Sequence, residues 1–139
     1  ILSGSLFVLD ICLSGPPEFA PGQEINEYLA KHNLASTWEH QPDPQLAAQG
    51  SDYLYTDVWV SMGCEEEENR RKELMAPYQV SEQLLSIAKP DAHFMHCMPT
   101  HPEEEVTSSV LASPQSILFD QAENRLHMQK AILRQLNQN

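Results

Sequence analysis

The sequence predicts an α/β domain, a parallel sheet flanked by helices on both faces. Three observations carry that prediction. Short apolar and aromatic runs alternate along the chain with segments of helical spacing, as in parallel strands joined by crossover helices. The run Leu6 to Leu13 is almost continuously apolar and is closed by Gly15-Pro16-Pro17, the pattern of a buried central strand followed by a turn. An acid, a hydroxyl, a thiol and a guanidinium, at Asp57, Ser61, Cys97 and Arg125, each follow a predicted strand. In parallel sheets such ends gather on one edge and line the ligand crevice.

After the first strand, Pro21 opens a segment with Ile25, Tyr28 and Leu29 at helical spacing, ending near Asn33. Ala35 to Glu39 reads as a short strand. Pro42-Asp43-Pro44 begins a short helix through Ala48, and Gly50 stops it. Tyr53 to Trp59 is the next strand and leads into the Ser61-Met62-Gly63 loop. In the charge run Glu65 to Lys72, the pairs Glu66/Arg70, Glu67/Arg71 and Glu68/Lys72 all have i,i+4 spacing with the acid first, which suits a solvated helix and its dipole. Ser81 with Glu82 starts a helix through Ala88, closed by Pro90. Ala92 to His96 is a strand, Pro102 to Ser109 a helix led by three glutamates, and Ser116 to Phe119 a strand. Asp120 is placed to cap the last helix, whose packed face is marked by Leu126, Ile132, Leu133 and Leu136.

With 139 residues, 41% of them hydrophobic, the chain has the length and apolar content of one globular domain. Twenty acidic against eight basic residues give a formal charge of −12, which argues against nucleic acid or an anionic membrane as partner; acidity alone selects no substrate and reads first as a solvated surface, although such a field favours a cationic amino acid. Cys12, Cys64 and Cys97 show no metal-ligand spacing and leave one cysteine unpaired in any disulfide scheme, so a reducing compartment fits, cytosol or mitochondrial matrix. No run approaches the roughly 20 apolar residues of a membrane span.

Cys97, in Phe94-Met95-His96-Cys97-Met98-Pro99, is the focus: an imidazole, a thiol and a proline-fixed turn meet where an apolar run ends. A lone cysteine in such a run also reads as a small core hydrophobe. Asp57 reads either as an anchor for an ammonium group or as a carboxylate capping the loop after its strand. Met62 and Trp59 read as packing residues, Arg125 and His127 as surface residues. His96 either tunes Cys97 or satisfies a backbone group.

Three motifs, in order, shift these readings. Asp57 to Gly63 fits Asp-x-Trp-x-Ser-Met-Gly, His96-Cys97-Met98-Pro99 fits His-Cys-Leu-Pro, and Ala122 to Arg125 is Ala-Glu-Asn-Arg. Together they resemble the carboxy-terminal domain of ornithine carbamoyltransferase, a Rossmann-like domain of the aspartate/ornithine carbamoyltransferase family. The strong resemblance covers residues 52 to 136. It implies that Asp57, Ser61 and Met62 contact ornithine, that Cys97 contacts the amine and helps take its proton, that the Cys97 and Met98 carbonyls bind the carbamoyl NH₂, and that Arg125 stabilises the carbamoyl oxygen. It also implies carbamoyl phosphate as second substrate, a homotrimeric full-length enzyme, and neither cofactor nor metal.

The family's Ser-x-Arg-Thr-Arg and His-Pro-x-Gln segments are missing from these residues. The expectation is therefore a partial amino-acid-binding domain over 1–139, lacking its first strand and helix and the carbamoyl-phosphate-binding domain, and inactive alone. Cys64 replaces a frequent Gln, and Thr100-His101-Pro102 replaces a frequent continuation after the cysteine motif. Relatives acting on putrescine or acetylornithine, or a non-catalytic remnant, are the competing readings.

Overall fold

The computed structural model describes residues 1, 4, 7, 9–34, 37–60 and 68–138. Its contacts divide the chain into two compact units, Ile1–Ala47 and Ala48–Asn139.

In the first unit, β1 (Asp10–Leu13) pairs in parallel with β2 (Thr37–His40), with Asp10 opposite Thr37 and Leu13 opposite His40. The connection runs through a 3₁₀ turn at Pro17–Phe19 and helix α1 (Glu24–Lys31), which buries Leu29. α1 stops as predicted, because Asn33 adopts a left-handed φ of 51° and lets the Leu34 amide return to the Leu29 carbonyl at 3.0 Å. β1 differs from the buried central strand read from the sequence. Asp10 and Cys12 are exposed and Ile11 and Leu13 half-buried, since β2 is its one partner among the described residues.

The division between units falls within α2 (Pro44–Ala48), where the Asp43 carboxylate accepts from the Gln45 and Leu46 amides at 2.9 and 3.3 Å. Pro44 is at the first helical position, where its missing N–H costs nothing. Gly50 follows with φ 69°, a conformation glycine adopts without strain.

In the second unit, β3 (Tyr53–Thr56) pairs in parallel with β4 (His93–His96), in the register Tyr53 to His93 and Thr56 to His96. Between them lie α3 (Glu68–Met75), a 3₁₀ turn at Ala76–Tyr78 and α4 (Glu82–Leu85). The Ser81 hydroxyl caps α4 by accepting from the Leu84 amide at 3.3 Å. Of the three predicted acid–base pairs, Glu68–Lys72 forms at 2.7 Å, and Glu66 and Glu67 lie outside the described residues.

β4 alternates half-buried and buried residues, so Phe94 and His96 face the core while Met95 faces away. Phe94 is the centre of that core, with no exposed surface, packed among Val80, Leu85, Val106, Val110 and Leu118. Its backbone also joins a third segment: Phe94 N–H donates to Gln115 and its carbonyl accepts from Ile117. The predicted strand over 116–119 is only this bridge at Ser116, because α6 (Leu118–Leu136) has already begun.

The predicted helix over 102–109 does not form. Glu103 has φ 70°, Val106 bridges both Val80 and Pro102, and the Gln79 amide donates to the Glu103 and Glu104 carbonyls. Those carbonyls are therefore taken by a side chain instead of by a helix ladder. The helix comes later, as α5 (Ser108–Leu111), capped by Thr107, with the Glu103 carboxylate accepting from the Ser108 amide at 2.9 Å.

α6 runs for 19 residues with Ile117 at its N-cap and Asp120 in its first turn, so Asp120 lies inside the helix and does not cap it. Leu118 is its one buried residue, and Leu126, Ile132, Leu133 and Leu136, predicted to mark a packed face, are at least half exposed. Only the first turns of α6 meet the unit's core, and nothing among the described residues covers the rest.

Candidate functional site

The site grows out of the β3–β4 register. Thr56 lies opposite His96, so the next residue of each strand, Asp57 and Cys97, leaves the sheet side by side at its carboxyl edge. The Cys97 thiol donates to the Asp57 carboxylate at 2.8 Å. The same oxygen, Oδ1, accepts from the Val58 amide at 2.7 Å, which fixes the carboxylate. The sequence places these residues 40 positions apart, and the strand pairing alone unites them.

Burial first, and the Asp57 carboxylate second, push the Cys97 thiol above its ordinary range. Tyr55, two residues before Asp57 and on the same face, is pushed up by burial and then by the neighbouring Cys97 and Asp57. Three acidic groups thus crowd one point: Asp57 opposes ionisation of both Cys97 and Tyr55, whereas the Tyr55 hydroxyl favours that of Cys97. A thiol held in its protonated form is a poor nucleophile. The arrangement suits holding a cation and receiving its proton better than forming a covalent intermediate.

Beneath Cys97 the turn is tied down from inside. The peptide Met98–Pro99 is cis, and Met98 has φ 62°. His96, with no exposed surface, accepts the Met98 amide proton at Nδ1, 2.8 Å away. That bond puts the ring proton of the neutral imidazole on Nε2. Nε2 lies 3.2 Å from Oε1 of Glu105, which is also fully buried, although the contact is poorly directed for a hydrogen bond and acts as an electrostatic pairing. Glu105 Oε1 accepts in turn from the His101 amide at 2.6 Å. From above, the Gln121 side chain of α6 accepts from the His96 amide at 3.0 Å.

The predicted site residues divide accordingly. Asp57, Cys97 and the Met98 turn come together. Ser61 and Met62 lie outside the described residues, as does Cys64. Arg125 is exposed on α6, one turn beyond Gln121 and so on the same side of the helix. Trp59 is buried, and His127 is an exposed partner of Glu123 at 3.3 Å. Cys12, which lies in the run read as a buried strand, is exposed, because no described residue covers its face of the two-stranded ladder. Burial of its sulfur and then Glu39 push its thiol up.

Tyr55, Gln121 and Glu105 are site residues that sequence reasoning missed. Tyr55 had a usable signal in its i,i+2 spacing to Asp57 on a strand, whereas Glu105 was hidden within three glutamates. His101, Glu104 and Glu105 bring three potential cation ligands within 4.8 Å of one another, but the Lys72 ammonium already sits 2.7 Å from Glu104.

The fold and this edge define an α/β domain of Rossmann-like type that presents an acid and a thiol at the carboxyl ends of adjacent parallel strands. Comparison with known proteins identifies the class further. A family model described as Aspartate/ornithine carbamoyltransferase, Asp/Orn binding domain, matches residues 1–136, and the chain belongs to that family. It is 46% identical over 127 residues to the ornithine carbamoyltransferase of Halalkalibacterium halodurans, covering 90% of this chain and 40% of that protein. The ornithine carbamoyltransferase structure from Pyrococcus furiosus superposes with a TM-score of 0.84 at 40% identity, covering 95% of this chain and 43% of that one. The anabolic enzyme of Campylobacter jejuni superposes at 0.90 with 28% identity, covering 99% and 46%. An N-acetyl-L-ornithine transcarbamylase structure superposes at 0.77 with 26% identity, covering 94% and 41%. The chain thus spans about two fifths of the length of these relatives.

Proposed function

We propose that the protein to which this chain belongs transfers the carbamoyl group of carbamoyl phosphate to the side-chain amine of ornithine, giving citrulline and phosphate, and that this chain supplies the ornithine side of the site. The observation that carries the reading is the 2.8 Å pairing of Cys97 with Asp57 at the sheet edge. An alkyl ammonium, whose solution pKa is near 10.4 for the similar lysine side chain, must lose a proton before it can attack. Asp57 attracts and orients it. The positive charge of the bound ammonium offsets the field of Asp57 at the sulfur and lets the thiol lose its proton to solvent, so that the resulting thiolate, beside Asp57, takes the proton from nitrogen. The freed lone pair forms the C–N bond, and the C–O bond to phosphate breaks with its electron pair leaving on phosphate. The second amine proton departs with the phosphate.

In this reading Ser61 and the Met62 backbone hold the amino-acid end of ornithine. The Cys97 and Met98 carbonyls accept from the carbamoyl NH₂, and Arg125 stabilises the developing oxyanion. Residues 1–139 form part of the ornithine-binding domain, and the carbamoyl-phosphate ligands come from protein outside this chain, so the chain alone is inactive. The full enzyme is a homotrimer of the cytoplasm or the mitochondrial matrix, serving arginine synthesis or the urea cycle without a resident cofactor.

Ornithine is preferred over acetylornithine because, among the solved structures, those named for ornithine reach 40% identity against 26% for the acetylornithine enzyme. Combining this chain with a carbamoyl-phosphate-binding domain of the family, and assaying ornithine, N-acetylornithine, putrescine and aspartate in parallel, tests the reading. Ornithine should be turned over fastest, and faster turnover of any other acceptor would refute the substrate assignment.

A further inference from the structure

Leu54 packs against the core and Phe94 and His96 are buried in it, so Tyr55, Asp57, Met95 and Cys97 share the opposite face of the β3–β4 ladder. Tyr55 is paired with Met95, which makes Cys97 its diagonal neighbour, within reach of an aromatic side chain. The phenol lies against the Cys97 thiol and the Gln121 amide. Tyr55 is nonetheless more than half exposed, so core packing does not account for its position.

We propose that Tyr55 is a positioning residue for Cys97, its hydroxyl donating to the sulfur and stabilising the negative charge that Asp57 opposes. Two neighbours then act on one thiol with opposite sign. Among the described residues the ionisable groups acting on the sulfur are Asp57, which raises its proton affinity, and Tyr55, which lowers it. From α6 the neighbour is the neutral side chain of Gln121, which touches Tyr55 and the His96 amide. Burial, and then Cys97 and Asp57, push Tyr55 itself above its ordinary range, which favours the protonated phenol that can donate. Its role would be to keep the sulfur within reach of a proton from the bound amine. This inference rests on the reading of Cys97 as a site residue, and its test reads the thiol itself instead of turnover.

The 139-residue chain, its Tyr55→Phe variant and its Asp57→Asn variant would be alkylated with iodoacetamide from about pH 7 to about pH 10.5, a range spanning an ordinary and a raised thiol. Site-resolved mass spectrometry gives the pH midpoint of each cysteine. The midpoint is preferred to the rate at one pH because thiolate nucleophilicity rises as the pKa rises and masks part of the change. Tyr55→Phe should move the Cys97 midpoint up by about half a unit or more, the scale of one lost hydrogen bond to a charged group at a partly open site. Asp57→Asn should move it down, and Cys12 should keep its midpoint in all three proteins. An unchanged or lowered Cys97 midpoint in Tyr55→Phe overturns the proposal. If Asp57→Asn still shifts Cys97, the Asp57–Cys97 reading survives that failure; if neither variant shifts it, both fall.

Discussion

His96 and Glu105 face each other at 3.2 Å with no solvent-exposed surface on either, directly beneath the turn that carries Cys97. The imidazole holds the Met98 amide and the carboxylate holds the His101 amide, so one buried pair braces both ends of the segment 98–101. A buried pair of this kind costs desolvation to form but is expensive to break from one side.

Glu105→Ala should therefore destabilise the chain by about 2–4 kcal/mol, because it removes the buried carboxylate paired with His96 Nε2 and leaves the His101 amide without its acceptor. Glu105→Gln keeps the shape and an acceptor oxygen and should lose roughly half as much. Urea unfolding monitored by circular dichroism measures both, and equal stability of Glu105→Ala and the parent would show the pair is not a brace.

Acid stability should depend on Glu103. Its hydrogen bond with the Ser108 amide, foremost, holds its carboxyl below the usual value of 4.5. A carboxyl lowered by folding contributes stability that is fully present above the unfolded value and is lost as pH falls through the folded one. The loss should thus begin below about pH 4.5. Glu103→Gln should flatten that part of the stability–pH curve while leaving the alkaline side unchanged, which thermal melts from pH 3 to pH 8 would reveal.

The core makes a simpler demand. Phe94 is completely enclosed and sits on the strand that delivers Cys97, so Phe94→Ala should cost about 3–5 kcal/mol and Phe94→Leu about a third of that. Both are read from chemical unfolding midpoints, and an Ala variant as stable as the parent would place Phe94 outside the core.

The elements legible in the sequence were those marked by local chemistry. Asn33 and Gly50 end helices where their left-handed conformations are needed, Ser81 caps the helix it precedes, and the end of β4 delivers Cys97 beside Asp57. What failed depended on distant partners. Three glutamates before Val106 look like a helix start, but Val106 bridges Val80, 26 positions earlier, and that pairing turns Glu105 inward to His96. The apolar positions of α6 are correctly spaced for a buried face, yet spacing cannot say which surface covers it. Cys12 failed for the same reason: an apolar run implies a two-sided cover that the described residues do not give this ladder.

Steady-state kinetics of Cys97→Ser in the assembled enzyme, this chain combined with a carbamoyl-phosphate-binding domain, test the central claim most directly. The account predicts that kcat for citrulline formation falls by about 10²-fold or more, the scale of a positioned proton-transfer group, while Cys12→Ser, at an exposed thiol of the other unit, changes it little. Full activity of Cys97→Ser would contradict it and leave Cys97 as a packing residue at the end of a strand.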